Sequence, residues 1–177
     1  ARLESTTFRM KAQTLLQAGT KWLIFLVALV AAAPCAANAD IVNHSFGFDT
    51  RKDGQDAVVL DYRYGDSRLP VRAPEWATRE GKTFAFNAVH GPMAKGDFLY
   101  VKWRNTRTGE VYEDTVDLRK RLPVDISGHT VYFMIHGPQL YVYLISPANV
   151  ERSPDRAPTG PRMYRGRKIV TIYPDSL

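Results

Sequence analysis

Cysteine is almost absent: the chain of 177 residues has one, Cys35. An internal disulfide is therefore excluded, and beyond Asp40 a thiol nucleophile or thiolate metal site is excluded too. Histidine is scarce, with four residues, His44, His90, His129 and His136. No two of them stand at the i, i+2 or i, i+4 spacing that brings imidazoles together locally. Met93, Met134 and Met163 add thioether donors but no MxxM run, so a periplasmic copper or zinc protein is only an alternative reading. The apolar run Trp22 to Ala33 has twelve residues, too few to cross a hydrocarbon core of about 30 Å as a stable anchor. The chain also lacks a GxSxG elbow, a phosphate-binding glycine loop, an HExxH pair and a dinucleotide fingerprint, which lowers the standing of those chemistries.

What the apolar run does have is the surroundings of a secretory signal. Lys11 and Lys21 precede it, Pro34 breaks it, and Ala37-Asn38-Ala39 supplies the small-x-small site that signal peptidase accepts. We expect cleavage after Ala39. Residues 1–39 are then an upstream extension plus signal peptide, and residues 40–177 are one domain in the periplasm or outside the cell. Ala1 to Arg9 precede a plausible initiator, Met10, and are set aside. Lipid attachment at Cys35 is the competing address. Pro34 directly before it departs from the small residue a lipobox carries there, so tethering takes second place.

Charge follows from the cut. The chain carries a net +6, of which Arg2, Arg9, Lys11 and Lys21 against Glu4 account for +3, leaving +3 on the mature part. That modest balance does not point to nucleic acid. Without disulfides the domain must rely on its core, and its length from Asp40 to Leu177 is enough for one.

Branched and aromatic residues then set the architecture. Thr130 to Ile145, TVYFMIHGPQLYVYLI, is two β-rich runs joined by His136-Gly137-Pro138-Gln139, a hairpin. Both runs are apolar at nearly every position, so both faces are expected to be covered. Asp40 to Asp49 places Val42, His44, Phe46 and Phe48 on one side at period two. Ala57 to Tyr64 alternates, with Val58, Leu60, Tyr62 and Tyr64 on one face and Val59, Asp61 and Arg63 on the other. Thr83 to Val89 is a third strand ending at His90-Gly91-Pro92. Phe98 to Arg104 and Glu110 to Leu118 form a hairpin across a loop with Gly109 late in it. Arg167 to Tyr173 is the last strand. The sum is an all-β fold: a sandwich or Greek-key barrel of about eight short antiparallel strands, with immunoglobulin-like topology one candidate. The repeated His-Gly-Pro, at 90–92 and 136–138, is expected to be two connectors solving one turn problem.

Candidate chemistry is sparse. Glu110, Glu113, Asp114 and Asp117 mark a solvated strand facing Lys102 and Arg104, since at period two the carboxylates do not converge. Ser127-Gly128-His129 is a turn rather than part of a triad. The long stretch Gly65 to Lys82 has no clear period; Pro70 and Pro74 break any strand, and Pro74 can open a short helix closed by Gly81. It offers Arg68, Arg72, Trp76 and Arg79. Trp76 with Tyr62 and Tyr64 nearby could form a binding surface, although core or loop packing is the favoured reading of these aromatics. The Pro/Arg segment Ser153 to Lys168 offers Arg152 (just ahead of it), Arg156, Arg162, Arg165, Arg167 and Lys168, kept extended by its prolines.

These observations lead to the expectation of an exported, non-enzymatic binding or accessory domain without a cofactor. Its surface would be the 65–82 loop with the basic segment, and its partner another protein or an anionic envelope component. An immunity- or inhibitor-type protein is the concrete form. The alternatives are a cell-envelope hydrolase using Asp61, Asp66 or Glu75, and the metal protein already mentioned.

Overall fold

The computed structural model describes residues 41–149 and 160–175. The expected signal peptide with Ala37 and Ala39, the lipidation candidate Cys35, and Arg152 and Arg156 of the basic segment lie outside the described residues. The elements are β1 (Ile41–Asp49), β2 (Ala57–Tyr64), α1 (Glu75–Arg79), β3 (Phe86–Ala94), β4 (Phe98–Asn105), β5 (Val111–Asp117), β6 (Thr130–His136), β7 (Gln139–Asn149), a 3₁₀ turn (Arg162–Tyr164) and β8 (Arg167–Tyr173). The fold is all-β, with a five-stranded sheet ordered β3-β1-β6-β7-β8 and a three-stranded sheet ordered β2-β4-β5.

The core lies between the two sheets and follows from the alternation of each strand. His44, Phe46 and Phe48 of β1 point inward, as do Leu99, Val101 and Trp103 of β4 and Val131, Phe133 and Ile135 of β6. Phe46 stacks on Tyr64 with ring centroids 4.9 Å apart, and Phe48 on Phe133 at 4.5 Å. Trp103 ties the layers together by donating its indole N–H to the Gly137 carbonyl at 3.0 Å. The β6–β7 hairpin is covered on both faces, as its composition implies. Its second face packs Tyr132, Met134, Tyr143 and Ile145 with Tyr164 and Ile169.

The hairpin turns have local causes. Asn105 caps the β4–β5 turn by accepting the Arg107 and Thr108 amides on its side-chain oxygen, at 2.8 and 3.2 Å. Gly109 then closes that turn at φ +77°, a conformation that a side chain disfavours.

Four expectations are corrected. The sheets are not wholly antiparallel: β1 and β6 run parallel, Ser45 opposite Thr130 and Gly47 opposite Tyr132. Strand β2 does not alternate cleanly, because the pairing steps from Val59–Trp103 to Asp61–Lys102 and leaves Leu60 as an extra residue. That bulge switches faces, so Val59, Tyr62 and Tyr64 all reach the core. The third strand starts later than its composition suggests and runs through His90-Gly91-Pro92 to Ala94. The two His-Gly-Pro copies therefore do different work. At 136–138 the motif is the β6–β7 hairpin turn, where His136 faces Gln139. At 90–92 it lies inside β3, an edge strand, where a proline is tolerated because the ladder does not need every N–H.

The parallel pairing of β1 with β6 stops at Tyr132, and a side chain takes over beyond it. Gln55 is buried, donates from Nε2 to the Asp49 and Lys52 carbonyls at 2.8 and 3.1 Å, and accepts the Ile135 amide on Oε1 at 2.8 Å. It stands in for a missing stretch of backbone ladder.

Candidate functional site

Two surface features have the residue types a binding site needs: the 65–82 segment, and a groove on the outer face of the five-stranded sheet.

The 65–82 segment is pinned rather than loose. Tyr64 donates its amide to the Val71 carbonyl at 2.9 Å and Ala73 donates to Tyr62 at 2.9 Å, so the segment runs along the free edge of β2. Val71, Ala73 and Ala77 are buried. Helix α1 starts after Pro74 as expected, and Gly81 follows at φ +67°. The buried small residues leave the large ones outside: Arg68, Arg72 and Arg79 are exposed, and Trp76 is 56% exposed. Trp76 and Arg79 stand three apart and share a helix face. The local acids are partly spent, Asp66 on Arg63 and Glu80 on Lys82 at 3.5 Å. Arg68, Arg72 and Arg79 have no ion-pair partner among the described residues.

The basic segment divides differently from its expected role. Arg162 pairs with Asp53, whose Oδ1 receives the Arg162 amide at 3.3 Å and faces its Nε at 3.6 Å. Arg167 donates to the Ser146 and Pro147 carbonyls at 3.3 and 2.9 Å. Both are structural ties, and Arg167 and Lys168 belong to β8 rather than to an irregular arm. Arg165 and Lys168 are exposed.

The groove has an interior of about 180 Å³ and lies over the β3-β1-β6 pairing. Its floor is the cross-strand pair Gly47–Ala88. One end is the pair Ser45–His90, with the serine hydroxyl 2.9 Å from Nδ1 of His90. At the other end stands Phe86, 50% exposed, with the Arg51 guanidinium stacked over its ring at 5.0 Å. Arg51 in turn holds the buried Asp49 carboxylate through Nε and Nη2 at 2.7 and 2.9 Å, which keeps that carboxyl below its ordinary range. Tyr132, Met163 and Tyr164 pack together and line one side, the Tyr132 hydroxyl 3.6 Å from the Met163 sulfur. The Tyr132–Tyr164 rings meet edge-on at 5.5 Å, and burial raises both phenols above the usual tyrosine range.

The four histidines do not converge. His44 is buried, with Nδ1 2.8 Å from the Val42 carbonyl and Nε2 3.0 Å from the Tyr64 hydroxyl. Burial holds it below the ordinary histidine range and pushes Tyr64 up to about 12. His90 faces the groove, His129 approaches the Ser127 carbonyl at 3.0 Å, and His136 ends β6. No group of three or more potential metal ligands exists among the described residues. The hydrolase candidates are also apart from the groove: Asp61, Asp66 and Glu75 do not line it. The acidic strand behaves as expected at Lys102, which lies opposite Glu113 with Nζ–Oε2 of 3.4 Å. Arg104 instead faces Val111 in the register. Among the described residues the Ser45–His90 pair has no third group that would orient the imidazole as a general base.

Sequence reasoning missed the groove. Its trace is there at period two, Ser45-Gly47-Asp49 in one strand and Phe86-Ala88-His90 in another. Only the β1–β3 register puts the two smallest members opposite each other.

Comparisons with protein-family models, with curated proteins and with solved structures give no match. Among the described residues no helix is long and apolar enough to cross a membrane.

Proposed function

We propose that this chain is a non-catalytic binding module, exported to the periplasm, that docks an acidic protein surface against its 65–82 segment. The observation that carries this reading is the combination of three exposed arginines, unpaired among the described residues, and a half-exposed tryptophan on a segment whose backbone is bonded to β2. Arginine and tryptophan are the side chains most enriched among residues that dominate interface energy. A pinned segment loses little further entropy when it docks. Arg165 and Lys168 extend the same charge sign elsewhere on the surface, whereas Arg162 and Arg167 are committed to the fold. An immunity- or inhibitor-type role is the specific form we favour, because such a role needs a rigid charged surface and no chemistry of its own.

In finer architecture we read a two-layer sandwich rather than a closed barrel. An immunoglobulin-like order is not part of the proposal, since its first two strands share a sheet while β1 and β2 lie in different ones.

The test is differential capture from envelope extract, comparing the wild-type chain with a variant carrying Arg68→Ser, Arg72→Ser and Arg79→Ser. A partner held by this surface is retained by wild type at low salt, weakened as salt rises, and lost from the triple variant and from Trp76→Ala. Identical capture profiles for all three proteins would overturn the reading.

A further inference from the structure

We propose that the groove over β3-β1-β6 binds one neutral sugar ring, a site separate from the arginine-bearing surface. Size comes first. An interior of about 180 Å³ is close to the roughly 150 Å³ of an engineered cavity that takes a benzene ring, so the space admits one six-membered ring and little more. Shape agrees. The floor is the Gly47–Ala88 pair, where two adjacent strands present almost bare backbone. The raised pairs at each end, Ser45–His90 and Asp49–Phe86, stand about 13 Å apart along the strand.

The free hydrogen-bonding capacity at the rim selects among rings. The charged groups are satisfied: Asp49 is held by Arg51 through two side-chain contacts. What remains open is hydrogen-bonding capacity on one imidazole and two hydroxyls. His90 uses Nδ1 on Ser45, and its Nε2 has no partner among the described residues. The Thr130 and Tyr164 hydroxyls are likewise without a hydrogen-bond partner among the described residues. Among the described residues that line the groove, no carboxylate or guanidinium is left unpaired for a charged ligand. A purely apolar ring would leave the rim groups to water. A pyranose offers a C–H face to the Gly47–Ala88 floor and the tyrosine wall, and hydroxyls to His90, Thr130 and Tyr164.

The experiment is a titration of the isotope-labelled full chain with methyl β-glucopyranoside and with N-acetylglucosamine, followed by amide chemical shifts, with phenol as the competing ring. We expect saturable shifts at Gly47, Ala88 and His90 with a millimolar dissociation constant. Ala88→Leu, which fills the floor from an exposed position, should weaken binding by at least about tenfold and leave shifts outside the groove unchanged. Thr130→Val should weaken it by about three- to tenfold, the loss of one hydrogen bond. Three results would each overturn the proposal: no saturable shift with either sugar, saturation by phenol alone, or undiminished sugar binding by Ala88→Leu.

Discussion

Replacing Gln55 with leucine isolates the role of one side chain as a substitute for backbone pairing. The two side chains are similar in size, so the substitution keeps the volume and removes the polar ends. Three hydrogen bonds disappear, to the carbonyls of Asp49 and Lys52 and from the amide of Ile135. The site is closed to solvent, with Gln55 2% exposed, so water cannot replace them. A typical internal hydrogen bond is worth about 1 kcal/mol net, and an orphaned buried donor costs about 1–3 kcal/mol. Offset by the gain from burying an apolar side chain, the expected loss is about 3 kcal/mol. For a domain of this size that lowers the melting midpoint by roughly 10 °C. Urea unfolding should give a lower midpoint with an unchanged slope. Amide exchange at Ile135 should accelerate more than at Val131, whose place lies within the parallel ladder. A Gln55→Leu protein within about 0.5 kcal/mol of wild type would refute the idea that this side chain completes the sheet.

Two further outcomes follow from the core. Burial holds His44 and His136 below the ordinary histidine range, so the unfolded chain takes up protons that the folded chain refuses; stability is full above about pH 6.5 and declines as the pH falls below it. Melting midpoints across that range should show the decline, and His44→Gln should flatten it, whereas an unchanged profile would remove His44 from the account. At Gly96 an added Cβ would lie 2.5 Å from the Tyr64 ring, so Gly96→Ala should cost about 1–3 kcal/mol by denaturant unfolding; a neutral result would mean that the ring shifts freely.

Elements written in local sequence were readable in advance, while relations between distant elements were not. The doubly apolar hairpin, the Asn105–Gly109 turn and the short helix after Pro74 each depend on neighbours within a few residues. The bulge at Leu60 was hidden because Ala57 to Tyr64 alternates acceptably in either register, and only Trp103 and Lys102 on the partner strand decide which side chains turn inward. His-Gly-Pro at 90–92 has the composition of a turn, and its place on a sheet edge is a property of the whole sheet. For the candidate surface, Arg68, Arg72, Trp76 and Arg79 could be named from loop chemistry. That Arg162 and Arg167 serve the fold required Asp53 and the Ser146–Pro147 carbonyls to be brought beside them. The groove depends on a small-residue pair across strands far apart in the chain, which no window of sequence displays.

The parallel pairing of Ser45 with Thr130 orders events in time as well as in space. Hairpins such as β4–β5 and β6–β7 can close as soon as their own residues exist, at little loop-closure cost. Strand β1 sits inside the five-stranded sheet, yet one of its two neighbours is made only after most of the chain. Until β6 arrives, Phe46 and Phe48 belong to a strand with one bare edge. Closing so long a loop makes this a slow step, in the millisecond-to-second range typical of folds dominated by distant contacts. The first of the described strands is thus among the last to be enclosed, and the chain passes much of its folding life as two ready hairpins waiting for their centre.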